Sequence, residues 1–295
     1  MHLEEIFYES DEFCKDFEKQ FEINLLTDGE GKRKREFCLS MSEIMTIAIY
    51  YHESGFKTFK DFYEKHVEIH MRRDFREIPK YNRFLELRKN ALLPLCIFAH
   101  LKTMGICTGK SIIDSFPLKV CHVKRRYSHK VFKGLAKLGK TSVGWFFGFK
   151  LHVAINPAGE ILAFCITPGN VADNNETVLM KITKKLSGKL FGDKGYLINK
   201  NLFEKLYMNG IRIVTKIRAN MKNKLMDMED KLFLRKRGLI ESVGNILKGV
   251  LSVEHSRHRS VFGFLGHVMT ALIAYDFREN KPSVMCKSEK FGLIC

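Results

Sequence analysis

Three carboxylates lie where the chain could use them for chemistry. Asp193 sits in Lys189-Leu190-Phe191-Gly192-Asp193-Lys194-Gly195-Tyr196, a short apolar run ending in an acid with a glycine on either side. Asp114 closes a second short apolar run, Ser111-Ile112-Ile113-Asp114-Ser115. An acid at a strand tip faces the crevice beyond the carboxyl ends of parallel strands, where open sheets bind ligands. Either aspartate taken alone would equally suit an ordinary turn. The third acid, Glu241, lies in a segment predicted helical from about Arg237 to Leu251. With about 100° per residue and Ile240 at zero, Ile240, Val243, Ile246, Leu247, Val250 and Leu251 form one apolar stripe, and Arg237, Lys248 and Glu241 follow at about 60°, 80° and 100°. They border the buried stripe, so Glu241 could reach the end of a sheet and stay hydrated. Gly244, on the same side, leaves room for close backbone approach. Brought together, three carboxylates repel one another, which raises their pKa values and favours a divalent cation.

The elements that must position these acids change character along the chain. Residues 1 to about 104 are rich in Phe and Tyr and poor in Gly, with apolar positions such as Ile44-Ile47-Ala48-Tyr51 spaced by three and four. This predicts an all-helical N-terminal region. A helix capped by Ser40 or Ser42 should end at Gly55, a second should cover Lys57 to His70, and a third, Tyr81 to Met104, should bend or split at Pro94. From 105 to about 280 the pattern turns to strands and helices. Phe147, Phe149, Leu151, Val153 and Ile155 alternate strictly, Asn156-Pro157-Ala158-Gly159 makes a turn, and Glu160 to Ile166 returns as a hairpin partner. Further segments read as a helix (Asn174 to Leu186), the strand before Asp193, a helix (Asn199 to Met208), a strand (Arg212 to Lys216), and helices from Arg237 and from Phe262. Residues 281–295 form a short tail.

The chain has 295 residues, 45% of them hydrophobic, and Lys+Arg 50 against Asp+Glu 33 gives a net charge of +17. Such an excess favours a polyanionic partner. No apolar run is long enough to span a bilayer and the first residues, Met1-His2-Leu3-Glu4-Glu5, are acidic, so nucleic acid and a cytoplasmic, nucleoid-associated location are expected. The eight cysteines form no C-x-x-C pair, which disfavours a zinc ribbon or a disulfide framework and leaves buried reduced thiols as the expectation. From Ser115 to Gly159 there is no Asp or Glu, and the stretch His122 to Val143 is long for a hairpin connection. Its Lys124, Arg125, Arg126, Lys130 and Lys133 are candidate phosphate contacts of a cationic clamp. Lys205 to Met226 is a second acid-free run, and Gly31-Lys32-Arg33-Lys34-Arg35 a polar basic one. His255-Ser256-Arg257-His258-Arg259 fits phosphate contacts or caps better than a metal site. Trp145, beside Phe146 and Phe147, is expected in the core, with base stacking as the alternative.

The order of elements, with an Asp closing the first strand and another the fourth, resembles the ribonuclease H-like fold: a mixed five-stranded sheet with flanking helices, here preceded by the helical region. That resemblance implies that strands one and four are parallel neighbours and that Asp114 and Asp193 could share a cation. The chain also resembles the DDE transposases of bacterial insertion sequences, most closely insertion-sequence family 982. The likeness rests on Ile112-Ile113-Asp114-Ser115, Lys130-Val131-Phe132-Lys133-Gly134, Gly144-Trp145-Phe146-Phe147-Gly148-Phe149-Lys150-Leu151-His152, Thr167-Pro168-Gly169-Asn170-Val171, Gly192-Asp193-Lys194-Gly195-Tyr196, Glu241 and Glu254-His255-Ser256-Arg257-His258-Arg259-Ser260. Arg237, Glu241 and Lys248 match the R-x3-E-x6-K spacing of a related signature, whose preceding tyrosine is Leu234 here. The resemblance implies catalytic, metal-holding roles for Asp114, Asp193 and Glu241 with two Mg²⁺ or Mn²⁺ ions, phosphate contacts for Arg237 and Lys248, the element's inverted-repeat ends and target DNA as partners, and a homodimer on DNA. A nuclease of the same fold that only hydrolyses, and a non-catalytic basic DNA-binding protein, remain as alternatives.

Overall fold

The computed structural model describes residues 2–28, 38–75, 77–102, 105–216, 226–254 and 258–284. The Gly31 to Arg35 run, His255-Ser256-Arg257 and part of the Lys205 to Met226 run lie outside them. In chain order the helices α1 (Leu3–Asp28), α2 (Met41–Tyr50), α3 (Phe59–Phe62), α4 (Glu68–His70), α5 (Tyr81–Asn90) and α6 (Leu92–Lys102) come first. They are followed by β1 (Lys110–Cys121), β2 (Lys137–Thr141), β3 (Gly144–Ile155), β4 (Ile161–Pro168), α7 (Glu176–Thr183), β5 (Gly188–Gly192), α8 (Lys200–Met208), β6 (Ile211–Thr215), α9 (Met228–Lys236), α10 (Gly238–Asn245) and α11 (Val261–Asp276). No described helix is long and apolar enough to cross a membrane.

The chain folds as two compact units. The helical unit holds residues up to Lys102 together with Gly249–Val253 and Arg259–Glu279. Local sequence explains its breaks. Ser40 caps α2 in a reciprocal capping box with Glu43, and Gly55 ends the following turn at φ +73°. Thr58 caps α3, which runs through a π-helical turn (Tyr63–Val67) into α4. Pro94 falls in the first turn of α6, where its missing N–H costs nothing, and the expected long helix is divided at Ala91. Helix α11 contributes buried side chains from Phe264 to Tyr275 and packs on α2 and α6. The expected continuous 105–280 domain is therefore interrupted: an apolar helix such as α11 must bury most of its surface, and the neighbours that cover it are helices.

The sheet unit holds Thr103–Lys248, Glu254–His258 and the residues from Asn280 onward. Its mixed sheet has six strands, where five were expected. The order β3-β1-β5-β6 is continued beyond β3 by two strands that share its outer edge, β2 along Gly144 to Gly148 and β4 along Phe149 to Ile155. Strands β1 and β5 are parallel neighbours, with Lys110, Ser111 and Ile112 opposite Lys189, Leu190 and Phe191. Gly139 and Gly148 permit close approach at the crowded edge, where a Cβ would meet the carbonyl oxygens of Gly169 at 2.2 Å and Leu118 at 2.0 Å.

Alternation assigns the two faces of the sheet. Ile113, Ala154 and Leu190 pack into a core with α7 and α8 residues such as Leu179 and Leu206. The opposite face carries α9 and α10. Phe191 stacks on Phe233 of α9 at 5.2 Å between ring centroids, and Lys189 reaches the buried Asp230 at 2.6 Å. Of the expected tail, Val284 donates its amide to the Pro157 carbonyl at 3.0 Å, tying residues 281–284 to the β3–β4 turn.

Candidate active site

Strand β1 does not end at Asp114, as its apolar run predicted, but continues to Cys121. What ends there is its pairing on one side. The last β1–β5 pair is Ile112 with Phe191, and the same register carried two residues further sets Asp114 opposite Asp193. Beyond that point β1 is bonded only to β3, which is why Pro117 is tolerated within it. Asp114 lies opposite Val153 of β3, on the sheet face that carries α9 and α10.

Helix α10 crosses that face where Gly244 meets Phe116 of β1. A Cβ on Gly244 would lie 2.4 Å from the Phe116 ring, so the bare backbone sets how near the helix can come. Ile240, Val243 and Leu247 are buried in the contact, while Glu241 is largely exposed at the margin. Past Asn245 the helix widens into a π-helical turn, Ile246–Val250, whose smaller rotation per residue takes Val250 out of the expected apolar stripe to 52% exposure.

Arg237, at the junction of α9 and α10, reaches into the gap. Its Nη1 donates to Asp114 Oδ2 at 3.2 Å and its Nη2 to Glu241 Oε1 at 3.5 Å. Burial pushes the Asp114 carboxyl up to about 6, opposed by the Ser115 amide and the Arg237 guanidinium and reinforced by the negative charges of Asp193 and Asp173. Asp193 Oδ1 accepts the Lys194 amide at 2.6 Å, which fixes the turn leaving β5. As the side chains stand, no three His, Cys, Asp or Glu among the described residues close into a metal-holding group.

Asp173 was not singled out in the sequence. It lies two residues beyond the Thr167 to Val171 block, in the loop between β4 and α7. Its Oδ1 accepts from Ser115 Oγ at 2.7 Å and from Lys150 Nζ at 2.9 Å, and Lys150 also donates to the Val171 carbonyl at 2.9 Å. Lys150 is only 8% exposed and is committed to this network. His152, opposite Ser115, bonds Thr167 through Nε2 at 2.9 Å, and burial pushes it down to about 4, so it is neutral at pH 7. Burial, with Asp114 and Asp173 nearby, lifts the Tyr196 phenol well above its ordinary value.

The remaining basic candidates divide. Lys248 pairs with Glu254 at 3.3 Å, which Lys119 also approaches at 3.7 Å. Lys124, Arg125, Lys130 and Lys133 are exposed on the connection between β1 and β2, and Arg126 lies over the Tyr127 ring at 4.5 Å. None of these five has a carboxylate partner among the described residues. The connection is held by the buried Phe132, whose ring meets Phe149 edge-on at 5.5 Å. Trp145 is not in the core: it is 59% exposed, because that loop covers Phe149 and partly Phe147 but stops short of the strand's first turn. Of six described cysteines, all free, only Cys14 is buried.

No curated protein matches the chain. Among solved structures, the crystal structure of the Mos1 strand transfer complex aligns over 90% of this chain and 88% of its own at 12% identity and a TM-score of 0.22. The Mos1 mariner paired-end complex with Mn aligns over 90% and 87% at 14% identity and a TM-score of 0.25. At such scores these alignments assign neither fold nor function to this chain. Residues 104–261, more than half of the sequence and the whole of the sheet with Asp114, Asp193 and Glu241, match the family described as "Transposase DDE domain", and the chain belongs to that family.

Proposed function

We propose that this chain is a DNA transposase of insertion-sequence family 982 that cuts the ends of its element and joins the freed 3′ ends to target DNA by divalent-metal-dependent phosphodiester transfer. The observation that carries the reading is that Asp114 on β1 and Asp193, just past the end of the parallel neighbour β5, fall opposite each other when the β1–β5 register is extended by two residues, while the helix that bears Glu241 packs on β1. The strand sequence β4-β3-β1-β5-β6, with β2 as an addition, supports a ribonuclease H-like catalytic domain. Asp114, Asp193 and Glu241 would hold two Mg²⁺ or Mn²⁺ ions. The donor set fits, since all three offer hard carboxylate oxygens, and a cation would relieve the repulsion and burial that hold Asp114 near 6. Such ions, when bound, supply an activated water or 3′-hydroxyl and stabilise the leaving oxygen.

The chain's own groups do the rest. Arg237 neutralises Asp114 and Glu241, and Lys248 neutralises Glu254; a DNA phosphate would replace an acid as the partner of either cation. The exposed cations on the β1–β2 connection would follow the backbone of the bound duplex. The helical region would take part in recognising the inverted-repeat ends, with two copies acting on a pair of ends. The test supplies purified protein with Mg²⁺, a pre-cut end bearing a free 3′-hydroxyl, and a second duplex. Covalently joined product is expected, and removing only that hydroxyl should stop joining. Hydrolysis without joined product, while both DNAs are bound, would identify a nuclease instead.

A further inference from the structure

We propose that Trp145 is a stacking platform for an unpaired DNA base, a role that rests on the DNA-processing reading above. It is the only tryptophan in the chain, and it stands 59% exposed at the first turn of β3, beside Val143, which is 96% exposed at the hairpin tip. Lys140, its cross-strand partner on β2, holds Nζ 5.6 Å from the ring centroid. Phe147 and Phe149 lie on the same strand face, but His129 and Phe132 of the preceding loop cover them. The aromatic row is thus sealed at one end and open at the other.

The surroundings select the occupant. The stretch from Ser115 to Gly159 holds no Asp or Glu, so the chain on either side of the open ring carries positive charge alone, with Lys140 at the ring itself, which favours a phosphate-bearing occupant. A flat π surface beside an ammonium matches a nucleobase with its flanking phosphate. Within intact duplex the faces of the bases are covered by their neighbours, so only an unstacked base can meet the ring. Trp145 is eight residues along β3 from Val153, the partner of Asp114, which is about 27 Å of extended chain. That separation removes the ring from the acids and assigns it to holding DNA.

Because Trp145 is the sole tryptophan, its emission reports the contact directly. Binding is measured without divalent metal by anisotropy of a labelled duplex, blunt or carrying a short single-stranded extension, with tryptophan emission followed in the same titration. Strong quenching is expected with the extended DNA and little with the blunt one. Trp145→Ala should weaken binding of the extended DNA by roughly 5- to 100-fold, as loss of one stacked base does, and leave the blunt duplex within about twofold. Trp145→Phe should retain most of the affinity. Binding of extended DNA without quenching, or an equal loss on both DNAs in Trp145→Ala, overturns the stacking role while leaving the transposase reading intact. Failure of the wild-type protein to bind either DNA overturns that reading and the stacking role with it.

Discussion

Asp114 and Arg237, 123 residues apart in sequence, meet at 3.2 Å on one face of the sheet. The contact joins the middle of β1 to the break between α9 and α10, and the same guanidinium extends to Glu241. One cation therefore spans two of the three acids proposed above to hold metal. Removing the charge of any member of this group should alter chemistry and stability in separable ways.

Asp193→Asn should abolish cleavage of DNA carrying the element's ends and leave DNA binding unchanged or tighter, because a negative charge beside phosphate is lost. Gel assays of cleavage and binding on the same substrate check both halves. Full cleavage in Mg²⁺ by this variant would remove Asp193 from the metal-holding set.

Asp114→Asn should make the metal-free protein more stable at pH 8. The folded-state carboxyl ionises near 6 against 3.8 for an ordinary aspartate, so folding is progressively penalised as pH rises through that window and the full cost applies above it. The gain should be on the order of 1–3 kcal/mol, less whatever Arg237 loses with its partner. Urea unfolding at pH 8 reads it, and a destabilised variant would mean the ion pair outweighs the burial.

Replacing Arg125 and Arg126 together by Ala should reduce the slope of log affinity against log salt by about two, with similar weakening on all duplex sequences. Anisotropy titrations from low to moderate salt give the slope. No change would leave the pair as ordinary solvated surface.

Acid should weaken the helical unit through His52. Its Nδ1 bonds the Leu251 carbonyl at 2.6 Å and its Nε2 the Thr270 hydroxyl at 2.8 Å, so the ring is enclosed, and burial pushes it down to about 3 from 6.5. Below 6.5 the unfolded chain takes up a proton that the folded chain refuses. Stability is therefore full above that value and falls by about 1.4 kcal/mol per pH unit beneath it. His52→Gln should be less stable at pH 7.5, yet lose less than the wild type between pH 7 and pH 5. Parallel curves for the two proteins would show that His52 does not titrate on unfolding.

Much of this architecture is legible in the residues. The alternation from Phe147 to Ile155 appears as β3, and the apolar runs before Asp114 and Asp193 appear as neighbouring parallel strands. Gly244 beside Glu241 signals the close approach of α10 to the sheet. Strand β2 was hidden because Lys137-Leu138-Gly139-Lys140-Thr141 has a single apolar residue and exists by pairing with β3. Trp145 misled because alternation fixes which face a side chain joins, whereas its exposure depends on where a loop 10 to 20 residues earlier happens to end. Asp173 escaped notice because its partners, Lys150 and Ser115, are 23 and 58 residues away, and no spacing rule connects them.

The placement of α11 within the helical unit has a consequence for synthesis. As the chain emerges from the ribosome, every strand of the sheet is available once Thr215 has passed, but the helices up to Lys102 lack the partner that covers α2 and α6 until Asp276 is made. The helices up to Lys102 are thus among the last elements of this chain to reach their final packing, and must wait with apolar surface uncovered while residues 103–276 are made. A nascent chain that stops short of α11 would therefore be a substrate for chaperones and proteases rather than a fully packed protein.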